Sequence, residues 1–106
     1  MKKISIIFPI YNEEKRLNKL FNSLISFEKK KTNFFFEFIL VDDGSTDSTV
    51  KKIIQFINKN KKIKYKNKLI KSKKNFGKGH ALKLGVNQAK YKWILNYGCR
   101  FICWII

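Results

Sequence analysis

Residues 36–57, FEFILVDDGSTDSTVKKIIQFI, decide the fold. Phe36 to Val41 is a nearly unbroken apolar run, as expected of a strand buried on both faces of a parallel sheet. Asp42 and Asp43 stop it. GSTDST supplies turn and cap residues, with Ser45 or Asp47 expected as the N-cap. Val50, Ile53, Ile54 and Ile57 then recur at helical spacing. This is one strand–turn–helix unit.

Working outward, the same unit appears twice more. Upstream, Ile4, Ile6, Ile7 and Phe8 form a second buried strand, which Pro9 is expected to end for lack of an N–H. Asn12 is expected to cap the next helix, with Glu13 and Glu14 at the positive end of its dipole. Leu17, Leu20, Phe21, Leu24 and Ile25 give that helix its apolar face. Downstream, IKYKNKLIK (63–71) alternates weakly, like an exposed strand. NFGKGHALKLGVNQAK (75–90) opens on two glycines and continues as a helix, and YKWIL (91–95) is a fourth strand. Strands alternating with helices predict a doubly wound α/β sheet, mostly parallel, of about four strands with helices on its faces.

A chain of 106 residues allows a single domain. The formal charge of +17 invites a polyanion partner, but only Arg16 and Arg100 of the 24 basic residues are arginine. Readers of bases and phosphates favour arginine for its fork of donors. No specific nucleic-acid partner is therefore expected, although a lysine-rich face suits an anionic membrane surface. Two cysteines give no disulfide framework. The start has neither the length nor the cleavage site of a signal peptide. No segment reaches the roughly 20 apolar residues needed to span a bilayer. The expectation is a cytoplasmic protein, peripheral to a membrane at most.

In doubly wound sheets ligands bind at the carboxyl ends of strands. Two polar clusters fall there, PIYNEE (9–14) and VDDGSTDS (41–48). Tyr11 can pack on a flat ring, and Asp43 can accept hydrogen bonds from a base or ribose. Asn12, Ser45 and Asp47 read first as helix caps. The adjacent acids Asp42 and Asp43 need a ligand or donors, because two carboxylates at a buried strand end repel each other. NFGKGHAL (75–82) is neither a P-loop nor a dinucleotide fingerprint. His80 reads as a surface residue at a helix start.

Together, SIIFPIYNEEKRL (5–17), EFILVDDGSTDST (37–49) and NFGKGHALKLGVNQAKYKWIL (75–95) resemble the N-terminal half of a family 2 glycosyltransferase of the GT-A fold. The likeness is to dolichyl- or polyprenyl-phosphate sugar synthases. It implies a Rossmann-like nucleotide-binding half-domain over residues 1–95 and an incomplete domain overall. It implies a UDP- or GDP-sugar donor and a polyprenyl or dolichyl phosphate acceptor. By the same resemblance Pro9, Tyr11 and Glu13 contact the nucleotide, and Val41 (by its backbone) and Asp43 hold base and ribose, with Asp42 beside them. Gly77–Gly79 match the loop before the third helix. No catalytic base is implied within the chain, so it is expected to be inactive alone. The alternative is an inactive nucleotide- or polyanion-binding module.

The family's Mg²⁺ or Mn²⁺ is held by an Asp-x-Asp motif after the fourth strand, since hard cations take carboxylate oxygens. Here that place reads NYGCRFIC (96–103), with no acid. Cys99 and Cys103 are soft thiol ligands and too few for a zinc site. One permitted codon set for Asn96–Cys103, AAT TAT GGA TGC AGA TTT ATC TGT, reads Ile-Met-Asp-Ala-Asp-Leu-Ser one base later. Residues 96–106 are therefore expected to be an out-of-frame tail, with Phe101, Ile102, Trp104, Ile105 and Ile106 lacking a partner layer.

Overall fold

A computed structural model describes residues 2–29, 33–61, 65–97 and 102–104. The elements are β1 (Lys2–Ile10), α1 (Leu17–Lys29), β2 (Phe34–Asp42), α2 (Thr49–Lys59), β3 (Lys66–Lys71), α3 (Lys78–Gln88), β4 (Trp93–Tyr97) and β5 (Ile102–Trp104). The sheet order is β3-β2-β1-β4-β5, parallel except for β5, which pairs antiparallel with β4. Strand order reverses at β1, whose neighbours are β2 and β4. This is the doubly wound α/β arrangement that the alternating elements predicted.

Alternation along the strands divides the core. Ile4, Ile6, Phe8 and Ile10 of β1 and Phe36, Phe38 and Leu40 of β2 face Leu17, Leu24, Ile53 and Phe56 of α1 and α2. Ile7, Ile39 and Val41 face Ala81 of α3 on the other side. Phe21 stacks on Phe56 at 4.3 Å and joins α1 to α2. Gly85 lets α3 approach β1. A Cβ there would lie 2.5 Å from Cγ2 of Ile7.

The α3 face also carries two polar groups in register, Ser5 and Glu37. Both are buried. Glu37 accepts hydrogen bonds from the Ser5 hydroxyl (2.9 Å) and the Lys90 amide (3.0 Å), and pairs with the Lys68 ammonium at 3.2 Å. The Tyr91 amide donates to Ser5 Oγ at 3.2 Å. Burial pushes the Glu37 carboxyl up, but these donors outweigh it and hold it below its ordinary value. The cluster ties the α3–β4 connection to the foot of the sheet.

Two local expectations are corrected, and the sheet has one strand more than the four expected. Pro9 does not end β1, which runs on to Ile10. The Ile10 carbonyl accepts from Asp43 N on the β2 side, so by alternation the N of Pro9 faces β4. Pairing with β4 has already stopped at Ile7, so no ladder bond is lost. Asn12 does not cap α1, which begins five residues later at Leu17. Finally, residues 102–104 form a strand on β4, whose outer edge offers them unpaired backbone groups. Cys99, Phe101, Ile105 and Ile106 lie outside the described residues. Among the described residues no helix is long and apolar enough to cross a membrane.

Candidate functional site

The carboxyl ends of β1 and β2 open into two connections, and these are bonded to each other. The Asn12 amide donates to Ser45 Oγ and the Thr46 amide to Asn12 Oδ1, both at 2.9 Å. The Glu13 amide donates to Thr49 Oγ1 (3.0 Å) and the Glu14 amide to Asp47 Oδ2 (3.4 Å). The Ser48 amide donates to the Glu14 carboxylate (3.2 Å), which places that charge at the start of α2. Lys52 Nζ reaches the Glu14 carbonyl at 2.9 Å. Asn12 takes a positive φ of 48°, tolerable for asparagine, to make its part of this seam. Ser45 and Asp47 are accordingly bound across the seam. Asp47 also accepts from the Thr49 hydroxyl and amide, which holds its carboxyl below the ordinary value.

The acids at the end of β2 find backbone donors. Asp42 is buried and accepts from the Ser45 amide at 3.1 Å. Asp43, 4% exposed, accepts from the Phe76 amide with one oxygen and the Gly77 amide with the other, each at 3.1 Å. Asp43 thus fixes the loop that leads into α3. Gly44 makes this possible: its φ is +75°, and a Cβ there would lie 2.3 Å from the Lys74 carbonyl carbon. Only glycine allows the two backbones so close.

Between these walls lies a cleft of about 1010 Å³. Four of the six residues singled out from sequence line it: Pro9, Tyr11, Glu13 and Asp43. Val41 and Asp42 lie behind it. Val41 is fully buried, with its backbone between Pro9 of β1 and Ile70 of β3. Gly77 and Lys78 of the Gly77–Gly79 loop join the lining, together with residues the sequence reading did not assign: Arg16, Lys19 and Asn75. Arg16 had a legible signal, since it stands three residues after Glu13. The two form a bidentate pair, Nε to Oε2 at 2.6 Å and Nη2 to Oε1 at 2.9 Å. His80 lies beside Phe76, ring centroids 4.7 Å apart, at the exposed start of α3.

The donor set does not fit a hard divalent cation. Such an ion takes several oxygen ligands, and the cleft's two carboxylates are already engaged, Glu13 by Arg16 and Asp43 by two amides. Among the described residues no three His, Cys, Asp or Glu side chains converge. What the cleft does offer is an exposed aromatic ring, a seated carboxylate and three cations.

A doubly wound half-sheet with its cleft at the strand ends defines a Rossmann-like module of the GT-A kind. The chain belongs to glycosyl transferase family 2, whose family model matches residues 5–97. It is 38% identical over 96 residues to a dolichyl-phosphate beta-glucosyltransferase of Dictyostelium discoideum, covering 87% of this chain and 29% of that protein. It is 36% identical over 98 residues to the Homo sapiens enzyme of the same name, covering 89% of this chain and 30% of that one. The chain therefore spans under a third of the length of these relatives. Among solved structures, TarS 1-349 from S. aureus in complex with UDP-GlcNAc superposes with a TM-score of 0.72 at 32% identity, over 91% of this chain and 26% of that one. A mannosyltransferase from Pyrobaculum calidifontis in complex with GDP-Man and Mn²⁺ shares the fold, with a TM-score of 0.66 at 22% identity, over 87% of this chain and 26% of that one.

Proposed function

We propose that this chain is the donor-binding part of a glycosyltransferase that passes a sugar from a nucleoside diphosphate to a polyprenyl or dolichyl phosphate. The observation that carries this reading is the cleft at the ends of β1 and β2, where Tyr11 is 41% exposed opposite the seated carboxylate of Asp43. Tyr11 presents a flat apolar face to a base. Asp43 keeps acceptor capacity beyond the two amides, because each carboxylate oxygen has two lone pairs. Pro9 and Glu13 complete that wall, and Val41 and Asp42 set it from behind. Lys19 and Lys78 supply positive charge for a diphosphate. The names of the relatives support glucose and a dolichyl phosphate acceptor. The complex of TarS supports a UDP-linked donor over a GDP-linked one. The cytoplasmic side of a membrane, without a spanning helix in the described residues, suits such an acceptor. No residue of this chain is assigned as catalytic base, and transfer by the chain alone is expected to be undetectable.

Calorimetry tests the site. Tyr11→Ala and Asp43→Ala should each weaken UDP binding by about 1–3 kcal/mol, the range for a hydrogen bond to a charged group or a lost stacking face. Measurable binding that both changes leave untouched would remove the assignment. The charge of +17 favours a second reading, a polyanion-binding module. RNA affinity that exceeds UDP affinity and falls steeply with salt would select it.

A further inference from the structure

The rim of the cleft has a chemistry that nucleotide binding does not use. Phe76 is 51% exposed, the most exposed large apolar side chain described, and it stands on the β3–α3 loop at the cleft mouth. The loop is held rigidly, since Asp43 fixes the amides of Phe76 and Gly77. Lys73 and Lys74 precede the ring on the same loop, both exposed and without an ion-pair partner among the described residues, and Lys74 Nζ lies over the ring. None of the acids nearby is paired with these lysines: Asp42, Asp43, Asp47 and Glu14 are seated on backbone amides, and Glu13 pairs with Arg16.

We infer that this lysine-bearing loop, with the exposed Phe76 on it, is a docking surface for an anionic lipid bilayer. Lysine ammoniums near a membrane surface are attracted to anionic lipid headgroups. An apolar ring carried on rigid backbone can enter the acyl boundary at little conformational cost. A reader of nucleic acid would favour arginine for its fork of donors, and this loop carries only lysine. Here the Lys74 ammonium sits 5.1 Å over the Phe76 ring and the His80 ring lies 4.7 Å away. Docked this way, the mouth of the cleft opens at headgroup level, where the phosphate of a membrane lipid emerges. The inference rests on the lipid-phosphate reading of the acceptor.

Co-sedimentation with phosphatidylcholine vesicles, with and without phosphatidylserine, tests it in the absence of nucleotide and acceptor. The chain should partition onto the anionic vesicles. Lys73→Glu with Lys74→Glu should lower the partition coefficient at least tenfold, and Phe76→Ser should lower it severalfold. Lys59→Glu with Lys92→Glu, the same charge change at the far ends of α2 and the α3–β4 connection, should have a much smaller effect. UDP binding by Phe76→Ser in solution should be unchanged, which separates failure of the docking surface from failure of the nucleotide site. An equal loss in both double variants would reduce the attraction to bulk charge and overturn the inference. So would vesicle binding indifferent to Phe76, or no binding to anionic vesicles. Displacement from vesicles by single-stranded RNA, with RNA affinity unmoved by Phe76→Ser, would assign the rim to nucleic acid instead.

Discussion

Glu37 shows how much one side chain can carry. It is 1% exposed and meets a hydroxyl of β1, an amide of the α3–β4 connection and an ammonium of β3. Its carboxyl is held below the ordinary value, so the folded state binds this proton less readily than the unfolded chain. The stability it contributes is complete above the ordinary carboxylate range, near pH 4.3 for glutamate, and is lost as pH falls through its depressed folded value. Glu37→Gln should flatten the acid limb of a stability–pH curve measured by urea denaturation, and an acid limb identical to wild type would refute the assignment. Glu37→Ala should cost near the lower end of the ~3–5 kcal/mol for breaking a buried pair, because Lys68 is partly exposed. Asn96 is the opposite case. It shares the α3 face with Ile7 and Ile94, and its Oδ1 is buried without a hydrogen-bond partner. In the codon set given above, the neighbouring frame would place isoleucine at this position. Asn96→Ile should therefore raise stability by about 1 kcal/mol, the cost of an unsatisfied acceptor at a half-buried site, and a lowered urea midpoint would count against it.

At the scale of elements, two glycines separate conformation from packing. Gly44→Ala meets backbone on the Lys74 side and keeps a positive φ. The φ alone costs about 1–2 kcal/mol, and the clash adds to it because backbone cannot turn aside. Gly85→Ala meets a side chain, Ile7. There the overpacking cost of about 1–3 kcal/mol is offset by about 1 kcal/mol of helix propensity. Urea midpoints should order wild type above Gly85→Ala above Gly44→Ala, and a reversed order would overturn the packing argument. The strands were legible because the runs Ile4–Phe8 and Phe36–Val41 can only be buried, and α2 was legible from its apolar spacing. The start of α1 was not. Asn12 and Glu14 look like caps in one dimension, but their partners are Ser45, Thr46 and Ser48, more than thirty residues away. The site was half legible for the same reason. Polar residues after a buried strand mark Tyr11, Glu13 and Asp43, whereas the amides that seat Asp43 carry no side-chain signal. Strand β5 gave no pattern, since three residues against an edge leave too short a period to read.

For the whole molecule, the parallel order around β1 places the carboxyl ends of β1, β2 and β4 on one side. Acids following β4 would stand at the same end of the sheet as Asp43. If residues 96–106 are read out of frame, genomic sequence shifted by one base near the codon for Asn96 should continue into Asp-Ala-Asp and further family sequence. UDP binding by the restored chain should then gain a dependence on Mg²⁺. An open frame without an Asp-x-Asp in any register would end that proposal. The tie between Glu37 and the Lys90 amide spans 53 residues. A ribosome adding about 5–20 residues per second releases these partners about 3–10 s apart. Late in that interval the nascent chain holds both central strands and at least two helices, yet the carboxylate between them lacks an amide that has not been synthesised. Closing the sheet early would bury that charge half-satisfied. Docking of α3 and the turn behind it is therefore expected to commit the emerging polypeptide, and a holding chaperone would find its substrate in the shorter intermediate.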